Sequence, residues 1–195
     1  MRKGVYATYL VKQAREQGAA RVEDWASIVA GCGAEAWRMA CRMLGEEADA
    51  ADCLQEAFVA AVIISRRQQV LSWPAMLRRL VTSRALDRLR ERRRHKTAAM
   101  GSAAARVPDG SPGPLRQVQL AEQAGRFREA LAHLPPQQAA VFCMRMLDDL
   151  SYEQIAEALG ISASHVGVLL YRARSALREQ FAHRDRAGKT QVHHD

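Results

Sequence analysis

Asp49, Asp52 and Glu56 recur at i, i+3 and i+7 in the stretch DAADCLQEAF, with Gln55 beside them. At helical period the three carboxylates share one face, while Leu54 and Phe58 point the other way, into a core. A carboxylate row can hold a cation, or it can accept charge-assisted hydrogen bonds from Arg and Lys of another protein. No His accompanies this row, and all three acids belong to one helix, which makes a poor metal cage. A docking surface for a basic partner fits better.

A second group carries the opposite charge. From Arg78 to Lys96, nine Lys or Arg residues stand against only Asp87 and Glu91. In SWPAMLRRLVTSRALDRLRERRR, residues 72–94, Leu77, Leu80, Val81, Ala85 and Leu89 form an apolar stripe at helical spacing. The arginines on the opposite face suit phosphate oxygens. Thr82 and Ser83 add short polar side chains near the middle. Ser72 is placed to N-cap this helix, with Pro74 in its first turn.

A third group lies near the C-terminus. In LSYEQIAEALGIS, Ser151 and Gln154 have capping-box spacing, Gly160 stands where a left-handed residue ends a helix, and Ser162 can cap the next. The following stretch carries Val166, Leu170, Ala173, Leu177 and Phe181 at spacings of 4, 3, 4 and 4, a buried stripe that Leu169 widens. Helix, glycine turn and basic helix make a helix-turn-helix, whose second helix reads the major groove. Ser164, His165, Val168, Tyr171, Arg172 and Ser175 point off the stripe. Val168 can touch a thymine methyl, Arg172 a guanine or a phosphate, and Arg174 and Arg178 phosphates.

These groups must be positioned by helices. Ala36, Trp37, Ala40, Cys41 and Leu44 predict one, the acidic stretch a second and the basic stretch a third. Leu115 to His133 predicts a fourth, stopped by Leu134-Pro135-Pro136, and a fifth runs through Val141, Met144 and Leu147. No segment alternates with a two-residue period, so the chain is expected to be all-α. Residues 98–114, AAMGSAAARVPDGSPGP, lack apolar periodicity and read as a linker. Fully extended, such a stretch spans roughly 55–60 Å. The expected division is an N-terminal extension over 1–20, a helical domain over 21–97, the linker, a helix-turn-helix domain over 115–182 and a tail over 183–195. Both ends are expected to fray.

Composition agrees with a polyanionic partner. The 195 residues carry 29 Lys plus Arg against 21 Asp plus Glu, a net charge of +8. Lys occurs only as Lys3, Lys12, Lys96 and Lys189, so Arg supplies most of the positive charge. No apolar run is long enough to span a membrane and no signal peptide is evident, so a cytoplasmic protein without membrane insertion is expected. Cys32, Cys41, Cys53 and Cys143 show neither C-x-x-C nor zinc spacing and are expected to be free thiols. There is no nucleophile paired with a base and no metal set, so no enzyme and no cofactor are expected.

The order of parts resembles bacterial sigma factors of the sigma-70 superfamily, the small two-domain extracytoplasmic-function (ECF) group, over about residues 20–180. The resemblance rests on DAADCLQEAF, the Trp-Pro-opened helix with ALDRLRERRR, the linker, LPPQQAAVFCMRMLDDLSYEQIAEALGIS and RARSALRE. It implies a sigma region 2-like bundle and a region 4-like helix-turn-helix domain in a non-enzymatic subunit of RNA polymerase. By similarity, Asp49, Asp52, Gln55 and Glu56 would dock on the core polymerase. Trp73, Arg78, Arg79, Thr82, Ser83, Arg84, Asp87, Arg88 and Arg92 would engage the −10 element of promoter DNA. Ser164, His165, Gly167, Val168, Tyr171, Arg172 and Arg174 would read the −35 element. Gly167 would let the backbone come close to DNA. The family adds an anti-sigma factor as a further expected partner, and a monomer is expected when the chain is free. A free-standing helix-turn-helix regulator is the alternative.

Overall fold

The computed structural model describes residues 24–100 and 115–191, with side chains over 24–98 and 119–182. Seven helices run through these residues, and no strand occurs among them. They are α1 (Trp25–Leu44), α2 (Glu47–Arg67), α3 (Trp73–Met100), α4 (Leu115–His133), α5 (Pro136–Met146), α6 (Tyr152–Leu159) and α7 (Ala163–Gln191).

Local chemistry sets most helix ends. The Asp24 carboxylate accepts the Ser27 N–H at 3.3 Å and opens α1. Gly45, at φ +80°, closes it by donating its N–H to the Cys41 carbonyl at 2.8 Å. Glu47 and Asp49 stand in the first turn of α2, and Arg66 and Arg67 in its last, each matching the helix dipole. Ser72 Oγ accepts the Ala75 N–H at 3.4 Å at the start of α3. Pro136 begins α5.

Two boundaries differ from expectation. The helix α3 continues through Met100, so 98–100 are helical rather than linker. Ala is the best helix former, and Ala98 and Ala99 extend a helix already nucleated. Likewise α7 continues to Gln191, nine residues into the expected tail at 183–195. No proline interrupts it. The expected extension at 1–20 and the rest of the linker, 101–114, lie outside the described residues.

The basic helix α3 is the central element, packed against α1, α2, α4, α5 and α6. It buries Leu77, Val81, Ala85, Leu86 and Leu89. The two halves expected as separate domains share one core. Met39, Met43, Leu44, Leu86 and Leu89 from the first half lie in the same cluster as Leu131, Val141, Met144, Ile155 and Leu170 from the second. A smaller cluster joins Trp25, Phe58, Ala61, Val62 and Leu77, with Trp73 standing edge-on to Trp25 at 5.1 Å.

Guanidinium groups fasten the halves at helix ends. Arg42 of α1 donates to the Leu147 carbonyl at the end of α5. Arg93 of α3 donates to the Ala132 carbonyl near the end of α4 at 3.4 Å. Arg128 of α4 donates Nε–H to the Met43 carbonyl near the end of α1 at 3.1 Å. The last carbonyls of a helix lack intrahelical donors and carry partial negative charge, so Arg satisfies both needs. Gly45 makes room for Arg128, whose guanidinium occupies the place of a Cβ there.

Candidate functional site

In the helix-turn-helix, Ser151 Oγ accepts the Gln154 N–H at 3.2 Å, and Gln154 Oε1 accepts the Ser151 N–H at 2.8 Å, a complete capping box. Gly160, at φ +66°, ends α6. Ser162 Oγ accepts the His165 N–H at 3.2 Å and starts α7. Val166, Leu169, Leu170, Ala173 and Leu177 are buried, and Phe181 packs at the margin. These contacts fix the rotation of α7 and leave Ser164, His165, Val168, Tyr171, Arg172 and Arg174 exposed on one side. Tyr171 is 72% exposed and Val168 45%, unusual for large apolar side chains on a well-packed helix. Arg174 also reaches the Met146 sulfur at 3.5 Å.

Gly167 departs from its expected role. A Cβ at this position would project toward the Tyr152 ring, 3.5 Å from Cε2, and the residue is half-buried. The glycine faces the neighbouring helix of the motif, not the exposed side that carries Ser164, Val168 and Tyr171. Tyr152 was not singled out by sequence; an aromatic residue just inside the capping box, opposite a helical glycine, is the signal that marks it.

The basic helix divides its polar residues between two sides. Arg79, Ser83, Arg84, Asp87, Glu91 and Arg94 are exposed. Their spacings of 4, 1, 3, 4 and 3 make one outward stripe. Other expected −10 residues turn inward in this conformation. Thr82 is 1% exposed, and its hydroxyl is buried without a hydrogen-bond partner. Trp73 belongs to the small aromatic core with Trp25. Arg78 lies between the halves, 2.6 Å from Glu35 and 3.5 Å from Asp148 in the turn after α5. Burial raises the Asp148 carboxyl above its ordinary range, with Arg78 opposing that shift and Glu35 adding to it.

Arg88 and Arg92 meet the acidic row. Arg88 lies 2.5 Å from Glu56, 3.7 Å from Asp49 and 3.9 Å from Asp52. Arg92 pairs with Asp49 and lies 3.5 Å from Glu46. The row therefore lies along α3 as well as facing outward. A groove of about 430 Å³ runs between α2 and α3, lined by Asp52, Gln55, Glu56, Val59, Ala60, Ile63, Arg84 and Arg88. Ile63, exposed and seven residues beyond Glu56, extends the acidic face with an apolar one. Its sequence signal is an apolar residue in helical phase with the acids, which the acidic pattern alone does not include.

Residues 124–177, from within α4 into α7 and including its exposed residues Ser164 to Arg174, match the family Sigma-70, region 4. The chain is 30% identical over 131 residues to the ECF RNA polymerase sigma factor ShbA of Streptomyces griseus, covering 65% of this chain and 69% of that protein. The chain belongs to the ECF sigma factors. It is also 29% identical over 163 residues to the ECF RNA polymerase sigma factor SigE of Mycolicibacterium smegmatis, covering 84% of this chain. It spans 63% of the length of that relative. With the ECF RNA polymerase sigma factor SigW of Bacillus subtilis it shares 27% identity over 156 residues, 74% of this chain and 81% of that protein.

In this sigma factor the family match holds the whole capping box, Gly160, Ser162 and the exposed residues from Ser164 to Arg174. No helix among the described residues is long and apolar enough to cross a membrane. No cluster of His, Cys, Asp and Glu among them could hold a metal ion. The four cysteines are free; Cys53 and Cys143 are buried, and burial raises their thiols to about 11 and about 12.

Proposed function

We propose that this sigma factor binds core RNA polymerase and directs it to promoters, reading a −35 element with α7 and a −10 element with α3. The observation that carries the proposal is the exposed row Ser164, His165, Val168, Tyr171 and Arg172, on a helix seated by a capped helix-turn-helix inside the matched sigma-70 region. N-terminal residues of such a helix meet base edges, and arginines farther along meet phosphates. On α3, the outward stripe of Arg79, Ser83, Arg84 and Arg94 suits the backbone of a separated strand, with Ser83 offering a short hydrogen-bonding side chain to a base. The acidic row Asp49, Asp52, Gln55 and Glu56, with the apolar ledge of Val59 and Ile63, suits a basic, partly apolar helix of the polymerase. The chain acts by binding and positioning rather than by a chemical step of its own. It works beside cytoplasmic polymerase, and an anti-sigma protein is a further partner of this reading.

The test is reconstitution. Purified protein added to core polymerase should start transcription from a subset of promoters in a genomic library, and mapped start sites should share −35 and −10 sequences. No stimulated transcript from any promoter would refute the proposal. Asp52→Arg with Glu56→Arg should weaken binding to core polymerase; unchanged affinity would show that docking occurs elsewhere.

A further inference from the structure

Arg88 belongs to two surfaces at once. It projects from the promoter helix α3, yet its guanidinium lies among the carboxylates of Asp49, Asp52 and Glu56 on α2. Arg92, one turn on, pairs with Asp49 and Glu46. Two arginines thus face four carboxylates. Only 22% of the Arg88 side chain is exposed, whereas 65% of the Asp52 and 49% of the Glu56 side chains are exposed. A phosphate approaching Arg88 or Arg92 meets these carboxylates beside it, and both guanidiniums are already paired, whereas Arg84 on the same helix stays exposed. Arg84 and Arg88 line one wall of the groove whose other wall is Asp52, Gln55 and Glu56, so an occupant of that groove touches both sets.

We propose that the acidic row masks Arg88 and Arg92 from nucleic acid in the free protein, and that a cationic partner docking on the row releases them for phosphate contact. The proposal rests on the docking and promoter-binding reading above. Its physical basis is competition. A Lys or Arg of the partner takes over carboxylate oxygens that Arg88 and Arg92 now hold, and cancels negative charge that repels the DNA backbone. The coupling is reciprocal: a strand engaging Arg88 makes the carboxylates more available to the partner. Arg88 is therefore a positioning residue between the two binding events, and polymerase docking itself raises the affinity of α3 for DNA.

A double-mutant cycle on the full chain tests this. Binding to a fluorescent single-stranded oligonucleotide pool of random sequence is followed by anisotropy for the parent, for Asp52→Asn with Glu56→Gln, for Arg88→Gln, and for all three changes together. Arg88→Lys, which keeps the charge but loses the fork that spans three carboxylates, provides a second background, and circular dichroism melting confirms that each variant is folded. Neutralising the carboxylates should tighten oligonucleotide binding about five-fold, the size expected for releasing two partly exposed ion pairs. With Arg88→Gln the gain should fall below about two-fold, and with Arg88→Lys it should lie between. An equal gain in all three backgrounds would reduce the effect to net charge and overturn the proposal, as would no gain in the parent. Affinity for core polymerase is measured in parallel. The carboxylate variant should bind core more weakly; unchanged core binding would overturn the docking assignment, and with it the polymerase as the releasing partner, whatever the oligonucleotide result.

Discussion

Gly167→Ala separates packing from DNA approach in the recognition helix. The backbone at Gly167 is helical, since only Gly45 and Gly160 have positive φ among the described glycines. Alanine in a helix interior is favoured over glycine by about 1 kcal/mol. Its Cβ would meet Tyr152 Cε2 at 3.5 Å, an ordinary van der Waals contact that asks nothing to move. The half-buried methyl adds a fraction of the roughly 0.8 kcal/mol of a fully buried one. The variant should therefore be more stable by about 1 kcal/mol, a rise in Tm of about 2–4 °C for a chain of this size. Its affinity for a duplex carrying the mapped −35 sequence should stay within about two-fold of the parent, because the new methyl points at the neighbouring helix. Thermal melting by circular dichroism and anisotropy on that duplex read the two effects separately. Val168→Ser makes the converse change on the exposed side: little effect on Tm, altered −35 preference. If Gly167→Ala left Tm unchanged or lowered it, the contact with Tyr152 would be wrongly judged. If it raised Tm but weakened the duplex more than about five-fold, the glycine would serve the DNA after all.

Two other expectations follow from buried titratable groups. Burial raises the Asp148 carboxyl, so the fold keeps this group's full contribution when it is protonated and loses it as pH climbs through the raised value. Asp148→Asn should then be at least as stable as the parent at pH 7 by urea unfolding, with the difference shrinking toward pH 4; a destabilised variant at pH 7 would mean that the pairing with Arg78 outweighs burial. Cys53 and Cys143, buried with thiols near 11 and 12, should resist alkylation at pH 8 until the protein unfolds, whereas half-buried Cys32 and Cys41 should label first, as peptide mass spectrometry would show.

What was legible in the sequence was local. Ser151, Gln154, Gly160 and Ser162 act within a few residues of themselves, and the stripe from Val166 to Leu177 needs only helical period, so the helix-turn-helix and its outward face followed directly. The acidic row followed for the same reason. Pairings across the chain did not. Nothing near Arg78 says that Asp148 lies beside it, and nothing near Gly45 says that Arg128 fills its missing side chain, because the intervening chain is long and charge alone does not choose among many acids and arginines. Thr82 is expected among the −10 residues, yet it sits between Leu77, Val81 and Ala85, Leu86 on the stripe and is buried. The end of α3 is not legible because Ala98 and Ala99 stand beside Gly, Ser and Pro and resemble a linker in composition, whereas Ala adjoining an existing helix prolongs it.

The packing of the two halves has a consequence for how affinities will be measured. Arg78 on α3 lies 3.5 Å from Asp148, four residues ahead of α6, and α6, with eight residues, is only about 12 Å long. The two helices that the proposed function assigns to the −10 and −35 elements thus start close together. Elements named for positions about 25 base pairs apart lie about 85 Å apart along B-form DNA. A sigma factor that reads both at once must therefore hold its halves apart, exposing apolar side chains such as Leu89 and Leu131 that the closed body covers. The fraction of molecules already open then divides the intrinsic dissociation constant, so the apparent promoter affinity of the free protein is weaker by that factor. On the proposed function, a polymerase surface that covers what opening exposes would change the population before it changes a single contact to DNA.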